Sequence, residues 1–160
     1  MGSVVLVTGA NGQVGRSLVA IAPNDNVSVV GLTRDELDIT NPRMVAEAFA
    51  KYKPAVLINA AAYTAVDRAE TDSQQAYKIN EIGPETLALA CASAGIPLLH
   101  ISTDYVFNGT SDRPYTETDE VQPLGVYGRS KEAGEQSVRK CISDHIILRT
   151  SWVYSHEGAN

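Results

Sequence analysis

The chain has 160 residues, 44% of them hydrophobic, which suits one domain with a buried core. Its formal net charge of −6 and the lack of any basic run argue against nucleic acid and anionic membranes as partners, since both require a positive patch. Cys91 and Cys141 share no CxxC or metal-like spacing, so inert thiols on helices in a reducing cytoplasm are expected. No signal peptide is read before the first strand, and the Val4–Val7 run is too short to span a bilayer.

In chain order, short apolar β-branched runs alternate with helical periodicity. Ser3–Val7 reads as a strand and Gly12–Ala22 as a helix, followed by a strand at Val27–Gly31 and a further short strand at Leu37–Ile39. Asn41-Pro42 starts a helix over Pro42–Tyr52, and Ala55–Asn59 is the next strand. Val66–Ile79 reads as one helix, and Gly83-Pro84 as the start of another running to Ala94. Pro97–Ser102 and His145–Thr150 complete the strands, with a helix over Tyr127–Lys140 between them. The strands alternate little, as strands buried on both faces do. The pattern is α/β: a doubly wound, mainly parallel Rossmann-type sheet with helices on both faces and right-handed crossovers. The one long irregular segment, Asp104–Val126, has the length of a functional loop.

In such a sheet the ligand lies beyond the carboxyl ends of the strands. Those ends read Thr8-Gly9, Gly31–Arg34, Asn59–Tyr63, Ser102–Asp104 and Thr150–Trp152, mostly small or hydroxyl residues that let a flat cofactor approach backbone. Gly9, Gly12 and Gly15 follow a strand and open a helix, so backbone N–H groups and the positive helix end can face a pyrophosphate. An NAD site wants a carboxylate about 20 residues after the glycines, and Asp35 is near that distance. Its neighbour Arg34 can instead pair with a 2′-phosphate, which leans the choice to NADPH with NADH tolerated; a surface arginine on a loop is the plainer reading of the same residue. Asp38 and Ile39 are placed to flank the adenine.

Tyr127 and Lys131 stand four residues apart, on one face of a helix. A free tyrosine has a pKa of about 10, and a cation close by favours its phenolate. Lys131 can supply that charge and bond the nicotinamide ribose, while Thr103 can hold the substrate oxygen beside Tyr127. A Tyr packed beneath a surface Lys gives the same spacing. Together with the glycine turn and Ser102-Thr103, the pair points to reduction of a ketone by hydride, with Tyr127 as proton donor. His100 and His145 read as core or strand-edge residues, and no cluster of metal-binding spacing is present.

These segments resemble the extended short-chain dehydrogenase/reductase superfamily and, within it, the dTDP-4-dehydrorhamnose reductases. The resemblance is carried by Gly12-Gln-Val-Gly15, Leu37-Asp-Ile-Thr-Asn41, Asn59-Ala-Ala-Ala-Tyr-Thr-Ala-Val-Asp67 and Ser102-Thr-Asp-Tyr-Val-Phe107. Pro123-Leu-Gly-Val-Tyr-Gly-Arg-Ser-Lys131, Gly134-Glu135 and Arg149-Thr-Ser-Trp-Val-Tyr154 extend it over nearly the whole chain. It implies NAD(P)H-dependent reduction of the 4-keto group of dTDP-4-dehydro-L-rhamnose, on the way to cell-surface polysaccharide. It places the catalytic roles on Thr103, Tyr127 and Lys131. Cofactor contacts fall on Gly12, Gln13, Val14, Asp38, Ile39, Ala62, Tyr63 and Thr64, again with Tyr127 and Lys131. Sugar-nucleotide contacts fall on Thr103, Asp104 and Trp152; an aromatic packed near a domain edge is the other reading of Trp152. The family also admits a magnesium ion and a homodimer, with no residue here to locate either.

The resemblance further implies a family of nearly twice this length, continuing past His156–Asn160 into a last strand and a small substrate domain. No Arg or Lys cluster here suits a nucleoside diphosphate, so the 160 residues alone are expected to hold the cofactor half-site and turn over substrate poorly. A second class is open: regulatory subunits resembling the β subunit of methionine adenosyltransferase keep the glycine turn and Tyr-x-x-x-Lys. A sugar-nucleotide epimerase or dehydratase on the same fold is a third; a dehydratase wants an acidic pair after the hydroxyl residue, whereas Asp104 is followed by Tyr105.

Overall fold

The computed structural model describes residues 2–21 and 26–155. Five strands, β1 (Ser3–Thr8), β2 (Val27–Leu32), β3 (Val56–Asn59), β4 (Leu98–Thr103) and β5 (His145–Thr150), form one parallel sheet in the order β2-β1-β3-β4-β5. The chain leaves β1 for β2 on one side and returns to β3 on the other, which opens a crevice at the carboxyl ends of β1 and β3. Leu6, Leu57 and Leu98 carry the core across the sheet and are fully or almost fully buried. β5 differs from the expectation of two buried faces. It lies at the sheet edge, and Ile146 and Leu148 are exposed, 62% and 48%.

The helices are α1 (Gln13–Ala20), α2 (Pro42–Tyr52), α3 (Val66–Ala69), α4 (Ser73–Tyr77), α5 (Gly83–Ala94) and α6 (Val126–Cys141). In α2 the Asn41 side chain accepts from the amides of Arg43 and Met44, and Pro42 occupies the first turn, where its missing N–H costs nothing. α5 ends where Gly95 adopts a left-handed φ of 65°; the amides of Gly95 and Ile96 then bond the carbonyls of Ala92 and Cys91, closing the last turn. Of the stretch expected as the first helix, Ala22 lies outside the described residues.

Two expectations are corrected and a third is extended. Leu37–Ile39 is a turn rather than a strand: Asp38 accepts hydrogen bonds from the Thr40 amide and hydroxyl, a local alternative to sheet pairing, while Leu37 and Ile39 are buried as core. Val66–Ile79 is not one helix, because the chain breaks at Glu70–Asp72, where the Glu70 carboxylate accepts from the amide of Val126 at the start of α6. Gly83-Pro84 starts α5 as expected, with Pro84 in its first turn, but the helical run is continuous from Ser73, because a π-helical segment joins α4 to α5. Pro84 cannot bond the carbonyl four residues back, and a π-helical segment over Lys78–Ile82 absorbs the mismatch, with Gly83 N–H bonded to the Lys78 carbonyl.

That widened segment turns the Asn80 carbonyl toward α6. A Cβ on Gly134 would lie 2.0 Å from it, so α6 reaches its seat only because residue 134 has no side chain. Gly134→Ala is expected to destabilise the fold by about 1–3 kcal/mol, seen as a fall in Tm of roughly 3–10 °C. An unchanged melt would refute the close contact.

Candidate active site

β1 ends at Thr8, and Gly9 turns the chain with φ 69°. A Cβ on Gly9 would stand 2.7 Å from the Ala61 backbone, and one on Gly15 only 2.2 Å from the Gly9 carbonyl. The turn therefore packs backbone against backbone, with α1 starting at Gln13. Behind it a buried polar rail crosses the sheet: the Thr8 hydroxyl donates to Asn59 Oδ1 (2.7 Å), and Asn59 Nδ2 donates to His100 Nδ1 (3.0 Å). This leaves the proton on His100 Nε2, which has no hydrogen-bond partner among the described residues. Burial, with Lys131 nearby, holds His100 well below the ordinary imidazole range, so it is a neutral core residue as expected.

A cavity of about 870 Å³ opens in front of the turn. Gly9, Gly12, Gln13, Val14, Arg34, Asp38, Ile39, Ala62 and Thr64 line it, together with Thr103, Asp104, Tyr127, Lys131 and Trp152. Residues read from six separate segments thus share one space. Gly15 and Tyr63 do not line it. Gly15 is buried beneath the turn, and the Tyr63 hydroxyl points away to Asp72 (3.3 Å). Arg34 lines the cavity whereas Asp35 does not. Burial works against the charge of Asp38, but bonds from Thr40, with Lys78 and Arg34 near, hold its carboxyl below the usual range.

α6 delivers the phenol and the ammonium. Tyr127 is 9% exposed and packs with Ala69, Ala76, Tyr63, Val66 and Val126. The Tyr105 ring meets it edge-on, centroids 5.5 Å apart. Lys131 is 2% exposed, and its Nζ donates to the Ile101 carbonyl at 2.7 Å. Thr103, the last residue of β4, donates to Asp104 Oδ1 (3.1 Å), and Ser151 donates to Asp104 Oδ2 (2.7 Å). The expected electrostatics need correction at one point. Burial pushes the Tyr127 phenol above its ordinary value, aided by Asp104 and Tyr105 and opposed by a bond with Thr103. Lys131, whose Nζ is bonded to the Ile101 carbonyl and whose own burial lowers it to about 8, does not reverse this loss of water.

Sequence reasoning passed over two residues that hold the site. Asn80 is buried; its Oδ1 accepts from the Tyr63 amide (2.8 Å), and its Nδ2 donates to the Tyr63 carbonyl (3.1 Å) and Ser130 Oγ (3.0 Å). It ties the Ala62–Thr64 loop to α6 between Tyr127 and Lys131. Tyr105 lines the cavity beside Tyr127. At the cavity mouth Trp152 is 92% exposed with a left-handed φ of 52°, a conformation rare outside glycine and typical of constrained functional positions. No three His, Cys, Asp or Glu side chains come together among the described residues. No helix among them is long and apolar enough to cross a membrane.

The chain is 46% identical over 157 residues to dTDP-4-dehydrorhamnose reductase of Aggregatibacter actinomycetemcomitans, covering 98% of this chain and 53% of that protein. It is 44% identical over 156 residues to the spore coat polysaccharide biosynthesis protein SpsK of Bacillus subtilis, covering 98% and 55%. A crystal structure of dTDP-4-dehydrorhamnose reductase from Bacillus anthracis in complex with NADP superimposes with a TM-score of 0.96 at 40% identity, over 100% of this chain and 57% of that one. WbmG of Bordetella bronchiseptica, solved with NAD and UDP, shares the fold at 23% identity and a TM-score of 0.76. The chain spans about half the length of the curated relatives it matches. With residues 3–160 matched by the family model, the chain belongs to the RmlD substrate binding domain family.

Proposed function

We propose that this chain is the cofactor-binding and catalytic part of a reductase that uses NADPH to convert the 4-keto group of dTDP-4-dehydro-L-rhamnose to the alcohol of dTDP-L-rhamnose. The observation that carries the reading is that Thr103, Tyr127 and Lys131 line the same cavity as Gly12, Gln13 and Val14. The relatives named as dTDP-4-dehydrorhamnose reductases, one of them solved with NADP, support it. Free thiols at Cys91 and Cys141 fit a reducing cytoplasm.

In this reading the glycine turn and the start of α1 hold the pyrophosphate, and Arg34 takes the 2′-phosphate. Asp38 and Ile39 flank the adenine, and Ala62 and Thr64 line the path to the nicotinamide, which supplies the hydride when bound. Thr103 orients the ketone oxygen toward Tyr127, while Asp104 and Trp152 hold the sugar. As the carbonyl carbon is reduced, its bonding electrons move onto oxygen and Tyr127 gives that oxygen its proton. The raised phenol is in the right state for this, protonated near neutrality. Lys131, bonded to the ribose and close to the phenol, stabilises the phenolate left behind.

Tyr127→Phe in the full-length chain is expected to cut turnover roughly 10²–10⁴-fold with NADPH affinity kept, measured by loss of reduced-nicotinamide absorbance with dTDP-4-dehydrorhamnose. Wild-type NADPH binding without turnover would instead favour the regulatory-subunit reading. Arg34→Ala should weaken NADPH roughly 10–100-fold and leave NADH nearly unchanged by calorimetric titration; equal losses would show that Arg34 does not read the 2′-phosphate. The Lys131 ammonium is present below about 8 and lost above it. A plot of kcat against pH should therefore fall on the alkaline side near that value, and a flat profile to pH well above it would remove Lys131's charge from the mechanism.

A further inference from the structure

Three consecutive residues of β4 are engaged by three successive turns of α6. Thr103 meets Tyr127, the Ile101 carbonyl accepts from Lys131 Nζ, and the Ser102 hydroxyl donates to Glu135 Oε1 at 2.6 Å. The first two contacts belong to groups already given a role. The third does not, yet the Glu135 side chain is fully buried and the most heavily bonded carboxylate of the sheet–helix interface. Arg149 of β5 grips it with both ends of its fork, Nε to Oε1 at 2.9 Å and Nη2 to Oε2 at 2.7 Å, and Arg139 adds 2.8 Å to Oε2. The Arg149 guanidinium in turn covers the Phe107 ring, 4.9 Å to its centroid, and Phe107 stacks on Tyr115 of the long loop.

We propose that Glu135 is a positioning residue: its buried carboxylate joins α6 to β4 and β5 and supplies the negative charge against which the Lys131 ammonium is held in the site. The inference rests on the reductase reading. Glu135 follows Lys131 by one helical turn, on the same face. The two arginines hold the carboxylate ionised despite its burial, and it opposes the loss of charge that burial imposes on Lys131. The other titratable groups facing the pair are Glu132 and Arg139 on α6, Arg149 on β5, neutral His100 on β4 and the Tyr127 phenol. Removing the carboxylate leaves Arg139 and Arg149 uncompensated, so every change acts in one direction, toward a neutral Lys131.

The test follows the Lys131 Nζ resonance through a pH titration with NADPH bound, in wild type, Glu135→Gln and the double variant Glu135→Met/Arg149→Met. The double variant replaces a buried ion pair with apolar groups of similar size, an exchange that folds tolerate well, and it leaves net charge unchanged. We expect the wild-type midpoint near about 8, Glu135→Gln lower by about one pH unit, and the double variant lower by a smaller step, because it also removes the Arg149 charge. The alkaline limb of kcat should move with the midpoint, KM staying within about twofold. An unmoved midpoint, or a double variant that recovers wild-type kcat along with its melting temperature, would make Glu135 a structural pair only and overturn the proposal. Wild-type turnover is read separately: its absence overturns the reductase reading, while the midpoints still decide what Glu135 does to Lys131.

Discussion

The site depends on how closely α6 can lie against its neighbours. A Cβ at Gly128 would stand 2.3 Å from the Tyr105 carbonyl, and one at Gly134 2.0 Å from that of Asn80. Neither obstacle is a side chain that could turn aside. Both are backbone, fixed in place by a 3₁₀ turn at Asp104–Val106 and by the π-helical segment. Because α6 can press onto both, one helix delivers Tyr127 to the cavity, Lys131 to the Ile101 carbonyl and Glu135 to Ser102. Pro84 is the distant cause. By denying Asn80 its helical bond, it widens the turn and exposes the carbonyl that Gly134 must accommodate.

Such close packing buries charge, and burial sets the electrostatics of the site. Moving an ion out of water costs several kcal/mol after relaxation, so each buried group here is partnered or neutral. Glu135 has two arginines and a serine; His100 has given up its charge; Lys131 is brought down to about 8. The phenol illustrates which effect wins. A cation near a tyrosine lowers its pKa only when the cation's field outweighs the loss of water. With the Lys131 Nζ bonded to a main-chain carbonyl and Asp104 beside the ring, desolvation prevails. For a donor acting in the reducing direction, a raised phenol is the useful one.

The strands, the glycine turn and the Tyr127–Lys131 face were legible because each depends on local pattern: β-branched runs, a strand followed by spaced glycines, and a four-residue interval on a helix. What escaped depends on partners far away in sequence. Leu37–Ile39 has a strand's composition, but Asp38 and Thr40 close on each other first. Gly83-Pro84 carries the marks of a helix start and begins α5, but nothing local shows that a π-helical segment joins it to the helix before. Asn80 and Glu135 show no local signal of their roles, since their partners Tyr63, Ser130, Ser102 and Arg149 come from other elements. The direction of the Tyr127 shift was misjudged for the same reason. Spacing gives the neighbour but not the burial.

The two ends of the cavity are built on different principles. At the glycine turn, the wall is backbone and short side chains, and the Thr8–Asn59–His100 rail behind it is buried and bonded. Little freedom is lost there when a ligand binds, so the contacts made go largely into affinity. At the other end stand Trp152, 92% exposed on a left-handed backbone, and Tyr105, 53% exposed. Ordering those aromatic side chains against a ligand costs conformational entropy before any contact stabilises the complex. A flat ligand anchored at the rigid end would offset that cost, because it would present a surface against which a second ligand, Tyr105 and Trp152 could settle. That asymmetry favours filling of the glycine-turn end before the aromatic end.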